Sequence, residues 1–426
     1  MTYADARALL DRLPKFEVKP GLERIDRLLG TVGLPQKAFP AIHVAGTNGK
    51  GSVVAMLDAV LRAAGYRVGR YTSPEVVDFR DRITIDGRWL SEHEWAAGVG
   101  RLAPAIESAE DPPAQFEAIT ALAFDAFSQA GVDVAVVEVG LGGRFDATRV
   151  VQPVLTILTN VSLDHTAILG TTETEIACEK VGIAREGVPF LTGALTASVA
   201  RIADEECQRV GTERVRGDRL SLNVVGHEAD CVLYQVKADD LPGRLGLRLR
   251  GDYQKANLAL VLDAIRLLRR AGFRIPDAAI LEGLSAVEWP GRFEIVRREP
   301  TILLDGAHNV AGAKALAAGI ERMAFSRSKR HLILGILRDK DIDGMVACFA
   351  PVFGEIIATS SMSPRALPAE ALADVVRPLG TPTSWYDSIE DALQDRLPAA
   401  EGDELWVIGG SLTVVGEARR ILERLG

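Results

Sequence analysis

Gly46-Thr47-Asn48-Gly49-Lys50-Gly51-Ser52 joins an apolar run to a helical pattern through a glycine-rich turn that carries one lysine and one hydroxyl. Such a turn can cradle phosphate: glycines let successive backbone N–H groups converge on an anion, and the helix that follows adds the positive end of its dipole. Lys50 can neutralise terminal phosphates and Ser52 can face a metal. The spacing departs from the standard P-loop, since a glycine is missing from its usual first place and Gly51 separates the lysine from the serine. A plain tight turn is the other reading. The flanks favour phosphate, because Ala41–Val44 reads as a buried strand and Val53, Val54, Met56, Leu57, Val60 and Leu61 form an apolar helical stripe.

Other segments able to do chemistry also follow apolar runs, so a parallel sheet would gather them on the edge that carries the glycine loop. Tyr71-Thr72-Ser73-Pro74 ends one run, and Ser73 is either part of a proline turn or a magnesium or phosphate contact. Glu138 interrupts a buried apolar strand and needs a cation, either Arg144 as an ion-pair partner or a metal at the place of a Walker-B acid. His165 closes Thr159–His165 as a structural histidine or a ligand, and Glu179-Lys180 reads by default as a solvated face. Further on, Leu303–Asn309 sets Asp305 and His308 before a helix. In Trp289–Glu294, Arg292 is either a surface arginine or a bidentate phosphate contact.

The elements that must position these groups alternate short apolar runs with helical stretches from Pro40 onward, the pattern of a mostly parallel α/β sheet. Expected strands are 42–45, 68–71, 134–139 and 154–159, with helices over 51–64, 91–105, 115–129 and 172–185. Ser91–Glu94 and Thr172–Glu175 carry capping-box signals. Between about Arg214 and Leu249 the pattern turns to short alternating stretches, an antiparallel subregion, and a helix over 253–270 follows. The charged, proline-bearing stretch Val296–Pro300 suggests a boundary, giving units 1–296 and 297–426, a P-loop-type domain followed by a Rossmann-like one. Two α/β units imply a cleft between them.

The chain has 426 residues and a net charge of -9 from 49 basic and 58 acidic residues, which argues against a nucleic-acid footprint. Cys178, Cys207, Cys231 and Cys348 are scattered without a CxxC pair, consistent with core-filling thiols in a reducing compartment. No charged-then-apolar leader opens the sequence, and no apolar run approaches the roughly 20 residues of a bilayer span. A cytoplasmic protein with no membrane partner is expected.

Together, Gly46–Ser52, Thr72–Pro74, Glu138–Asp146, Asn160–His165, Glu179–Gly182, Gly291–Glu294 and Asp305–Asn309 resemble, in order and spacing, the folylpolyglutamate synthase and dihydrofolate synthase family of the Mur ligase superfamily. The resemblance spans essentially the whole chain and includes Gly21–Ile25, Asp339-Lys340-Asp341, Pro364-Arg365-Ala366 and Gly409–Leu412. It implies an ATP-dependent ligase in which a substrate carboxylate is phosphorylated and the amine of L-glutamate attacks the acyl phosphate of a pterin or folate substrate. By resemblance, Gly46, Thr47, Asn48, Gly49, Lys50, Gly51 and Ser52 bind the triphosphate, and Asn257, Arg292 and Asp305 contact ATP across the cleft. Ser73, Glu138 and His165 would ligate Mg2+, while a carbamylated Lys180 would serve a second divalent or monovalent cation. His308 and Ser411 fall on the glutamate side, and Lys50, Lys180 and His308 carry the catalysis. Phe116 and Glu117 help form a pterin pocket or are an ordinary core-facing helix turn. The family's Ser-Pro peptide is cis, and its members act as monomers.

Three positions depart from the family pattern: Glu75 and Tyr253 stand where histidines are common, and Ser162 where glycine is. Two other readings compete. Another Mur-type ligase, for a cell-wall precursor or cyanophycin, would need a sugar-nucleotide or peptide pocket, and the stretch before Gly46 does not resemble the separate domain most cell-wall ligases use for it. A non-ligase P-loop protein would leave the second unit unexplained.

Overall fold

The computed structural model describes residues 1–15, 21–228 and 230–425. Its strands, in chain order, are β1 (Ala41–Ala45), β2 (Val68–Tyr71), β3 (Ile83–Ile85), β4 (Arg88–Trp89), β5 (Val134–Glu138), β6 (Pro153–Leu158), β7 (Phe190–Thr192) and β8 (Arg214–Arg216). These form one eight-stranded sheet in the order β4-β3-β2-β5-β1-β6-β7-β8. From β2 to β8 the pairing is parallel, and β3 and β4 add an antiparallel edge. β9 (Leu222–His227), β10 (Val232–Val236) and β11 (Arg244–Leu247) make the small antiparallel sheet.

Burial on both faces explains why the central strands read as continuous apolar runs rather than alternating ones. One face of the large sheet packs Lys50–Ala63, Gln254–Arg270, Asp277–Ala286 and the small sheet into one core. The other face is covered by Tyr3–Arg12, Glu23–Thr31, Glu92–Glu107 and Gln115–Ala130. Both expected capping boxes form, with Ser91 and Thr172 accepting from the amides of Glu94 and Glu175. The helix expected over 172–185 is shorter, Glu173–Lys180, and tightens into a 3-10 turn over Val181–Ile183. There a β-carbon at Gly182 would overlap Cβ and Cα of Arg144.

The rest of the chain builds a six-stranded sheet from β12 (Glu294–Arg298), β13 (Thr301–Asp305), β14 (Arg330–Leu334), β15 (Glu355–Ala358), β16 (Thr383–Trp385) and β17 (Leu405–Gly409), in the order β12-β13-β17-β14-β15-β16. All pairs are parallel except β12 with β13. Helices Val310–Glu321, Ile342–Phe349 and Ala369–Val376 cover one face, and Ile389–Arg396 and Leu412–Leu425 the other. Position 296 falls inside β12. The cysteines correct the sequence reading: all four are free, but only Cys207 is buried, and Cys178 is exposed. No helix among the described residues is long and apolar enough to cross a membrane.

Candidate active site

Sheet order decides which loops meet. Because β2, β5, β1 and β6 are neighbours, the segments that leave their carboxyl ends, at Thr72, Val139, Gly46 and Thr159, lie side by side although they are far apart in sequence. The register sets Val44 of β1 opposite Glu138 of β5. Glu138 is buried, and its partner is Lys50 at 3.9 Å rather than Arg144, which pairs with Glu206 at 3.1 Å. Burial raises the Glu138 pKa against the opposing pull of Lys50. Ser73 joins them through its amide, which donates to Glu138 Oε2 at 3.3 Å, and the Ser73–Pro74 peptide is cis.

Close packing and hydrogen bonds to neighbouring segments shape the glycine loop. Gly49 has φ +82°, a left-handed turn into the helix that starts at Lys50, and a β-carbon there would overlap Asn257 Oδ1. The Asn48 amide donates to Asn160 Oδ1 at 3.0 Å, while Thr159 Oγ1 and Asn160 Nδ2 donate back to the Asn48 carbonyl at 2.6 and 2.9 Å. Thr47 is tied to the backbone of Ser162 by two contacts of 3.1 Å, so this contact does not depend on the side chain at 162. Ser52 Oγ accepts from Gln254 Nε2 at 3.1 Å, and Gln254 in turn accepts from Asn257 at 2.8 Å. Gly51 packs against the Trp289 ring.

Two lysines converge on one carbonyl. Lys50 Nζ donates to Gly46 O at 3.2 Å and Lys180 Nζ to the same oxygen at 3.0 Å. Lys180 is buried, and burial first, then the charge of Lys50, lowers its pKa to about 7. His165 has φ +50° and is kept neutral, its pKa lowered to about 4 by burial and then by Lys340. The donors around Lys50 are therefore a carboxylate, a hydroxyl residue, a neutral imidazole and an amine able to lose its proton. A hard cation that keeps several waters and phosphate oxygens is compatible with so few protein oxygens. Among the described residues no group of three or more His, Cys, Asp or Glu side chains forms a closed metal cage.

The second unit meets this edge directly. Asn309 Nδ2 donates to Asn48 Oδ1 and to Asp164 Oδ2, each at 3.0 Å, and Lys340 Nζ reaches Asp164 Oδ1 at 2.5 Å. His308 Nε2 lies 3.4 Å from Asp164 Oδ2, while its Nδ1 is 2.9 Å from the Gly306 carbonyl. Burial would raise the Asp164 pKa, but His308, Lys340 and His165 together hold it far below the usual range. Asp305 is buried and accepts from Tyr253 Oη at 2.9 Å, Phe293 N at 2.9 Å and Ala307 N at 2.8 Å. Arg292 donates to the Gly291 carbonyl at 3.0 Å, and its charge lowers the pKa of both Asp305 and Glu138 against the effect of burial.

Residues 44–260 match the Mur ligase middle domain, and residues 291–412 match the Mur ligase glutamate ligase domain. The chain is 35% identical to the dihydrofolate synthase/folylpolyglutamate synthase of Bacillus subtilis, with 99% of each sequence covered. It belongs to the folylpolyglutamate synthase and dihydrofolate synthase family. A probable bifunctional folylpolyglutamate synthase/dihydropteroate synthase of Haloferax volcanii is 39% identical over 98% of the chain, which spans only 50% of that relative's length. Among solved structures, Escherichia coli FolC in complex with DHPP and ADP has a TM-score of 0.88 at 29% identity, covering 100% of this chain and 98% of that one.

Not every residue that resembles a functional position in this synthase family is free to act. Glu117 receives Arg24 through two hydrogen bonds of 3.0 Å and also accepts from the Ala114 amide at 2.7 Å, so its carboxylate is committed to holding a helix start. Phe116 packs under Gly140 and beside Tyr71, with ring centroids 6.0 Å apart. Ser411 is buried, and its hydroxyl accepts from Val414 N at 3.3 Å at the start of Leu412–Leu425. Sequence reasoning gave no role to Asn309, Lys340 or Asp164. Asp164, beside His165 in a polar strand exit, was the visible signal; its partners come from a separate sheet.

Proposed function

We propose that this family member is an ATP-dependent ligase that adds L-glutamate to dihydropteroate, to reduced folates or to both, through an acyl phosphate. The observation that carries this reading is the convergence at one sheet edge of Lys50 and Glu138 from the first unit with His308, Asn309 and Lys340 of the second, which meet that edge through Asp164 and Asn48. A carboxylate is a poor electrophile until phosphate makes its oxygen a leaving group, and phosphoryl transfer needs positioning and charge neutralisation above all. Both are present in these residues. We take the working division between the units to lie at Pro290–Gly291, just ahead of β12.

The loop Gly46–Ser52 holds the triphosphate, with the Lys50 ammonium on the terminal phosphates, and Asn257 and Arg292 fix the nucleotide from opposite sides. Ser73, Glu138 and His165 would hold Mg2+, which when bound neutralises the phosphate oxygens. The substrate carboxylate oxygen attacks the γ-phosphorus as the bond to ADP breaks. The glutamate nitrogen then attacks the acyl carbon and phosphate leaves. With its Nδ1 hydrogen directed to the Gly306 carbonyl, His308 takes the amine proton at Nε2, and Asp164 stabilises the imidazolium that forms. Lys180, its pKa lowered to about 7, has the neutral amine that carbamate formation requires, and as a carbamate it would serve a second cation.

Other details remain within the same proposal: L-glutamate as the amino acid, a monomeric state, and a cytoplasmic site. The test is to supply ATP, Mg2+ and L-glutamate with dihydropteroate in one reaction and tetrahydrofolate in another, measuring ADP and product mass. Pterin-dependent ADP with a one-glutamyl mass gain supports the assignment. ADP release that is indifferent to both pterins removes it.

A further inference from the structure

One loop of the first unit is built into the core of the second. Val76, three residues after Ser73, is buried among Ile302, Leu304, Val414, Val415 and Ala418. Helix Leu412–Leu425 grips it at two points. A β-carbon at Gly416 would overlap the Val76 carbonyl oxygen, and Arg420 Nη1 donates to the Val77 carbonyl at 2.8 Å.

The gripped segment is stiff. The amides of Val76, Val77 and Asp78 donate to one oxygen of Asp81 at 2.9, 2.8 and 3.4 Å, and Arg82 Nε donates to Glu75 at 2.6 Å. A displacement at Val76 is therefore carried back to Ser73, whose amide is the one held by Glu138. Ser411 immediately precedes the same helix, and its hydroxyl accepts from the Val414 amide in the first turn. One rigid element thus spans from the amino-acid side of the cleft to the phosphate-side loop.

We propose that Gly416 and Arg420 are positioning residues: through Val76 and Val77 they set the place of Ser73 beside Glu138, so the phosphate-side site is complete only while the second unit is docked. For its metal readout this rests on the ligase reading above. Alanine normally stabilises a helix interior relative to glycine. At 416 the sign reverses, because the added carbon meets backbone that cannot rotate away.

The test uses the full chain with Arg420→Met, which removes the donor and keeps the stem, and Gly416→Ala. Hydrogen exchange on the protein without metal or nucleotide is expected to speed up by about tenfold over 76–81, the change that loss of one hydrogen bond supports, while 134–138 stays protected. In turnover, the Mg2+ concentration for half-maximal ADP release is expected to rise several-fold while the KM for glutamate is unchanged. Unchanged exchange over 76–81 in Arg420→Met overturns the proposal. So does a glutamate KM that rises while the Mg2+ requirement stays put. Should the chain prove not to be a ligase, the exchange arm still decides whether the grip exists.

Discussion

Replacing Lys180 by methionine should stabilise the fold and stop the reaction. Lys180 is 6% exposed, and its pKa falls from 10.5 to about 7. At pH 7 the unfolded chain holds a proton that the folded chain holds only about half the time, so the buried amine costs the native state about 4 kcal/mol. Methionine keeps most of the volume and forgoes the hydrogen bond to Gly46 O, worth about 1 kcal/mol, which leaves a net gain of about 3 kcal/mol. The sign with pH follows from proton counts. Between about pH 7 and 10.5 the unfolded state binds more protons, so wild-type stability rises with pH through that window while that of Lys180→Met does not. The gap should shrink to about 1 kcal/mol by about pH 9 and be flat below about pH 7. Urea unfolding of both proteins in carbon-dioxide-free buffer measures it, with ADP release assayed alongside. A gap independent of pH, or a variant less stable than wild type at pH 7, would refute the claim that this amine is buried and poised to lose its proton.

Lys50→Ala should lower turnover by about a thousandfold or more while circular dichroism is unchanged, since a transition-state cation is removed from a loop that other residues shape. Wild-type-like turnover would contradict the phosphate role. His308→Ala is expected to lower kcat for glutamate addition by about a hundredfold or more, the loss of a general base, with ATP binding retained by calorimetry; an equal loss of nucleotide affinity would count against that division. Arg24→Met leaves Glu117 buried without its cation and should cost about 3 kcal/mol or more in urea unfolding. An effect below about 1 kcal/mol would mean that the pair is effectively solvated.

What could be read from sequence was local. The glycine turn, the two capped helix starts and the four central strands β2, β5, β1 and β6 announce themselves through spacing and periodicity, and the structure has them within a residue or two; the short buried strands β3 and β7 do not. Pairings between distant elements were not readable. Of the two partners the sequence offers Glu138, a metal or Arg144, the arginine leaves the strand exit for Glu206, while the β1–β5 register brings Lys50 to Glu138. Glu117 looked available until the helix Glu23–Thr31, absent from the sequence reading, brought Arg24 to it. Tyr253, noted only as a departure from histidine, donates to Asp305, so a phenol supplies a hydrogen bond at that position. Asp164 is the clearest case: its neighbours Asn309 and Lys340 come from the second unit, and only the docking of two sheets puts them together.

The central chemical claim is that phosphate passes to a substrate carboxylate beside Lys50 and Glu138. Dihydropteroate carrying oxygen-18 in its carboxylate tests this most directly, with ATP, Mg2+ and L-glutamate supplied and the inorganic phosphate analysed by mass. One labelled oxygen in the released phosphate is the predicted result. Unlabelled phosphate alongside glutamylated product would contradict it.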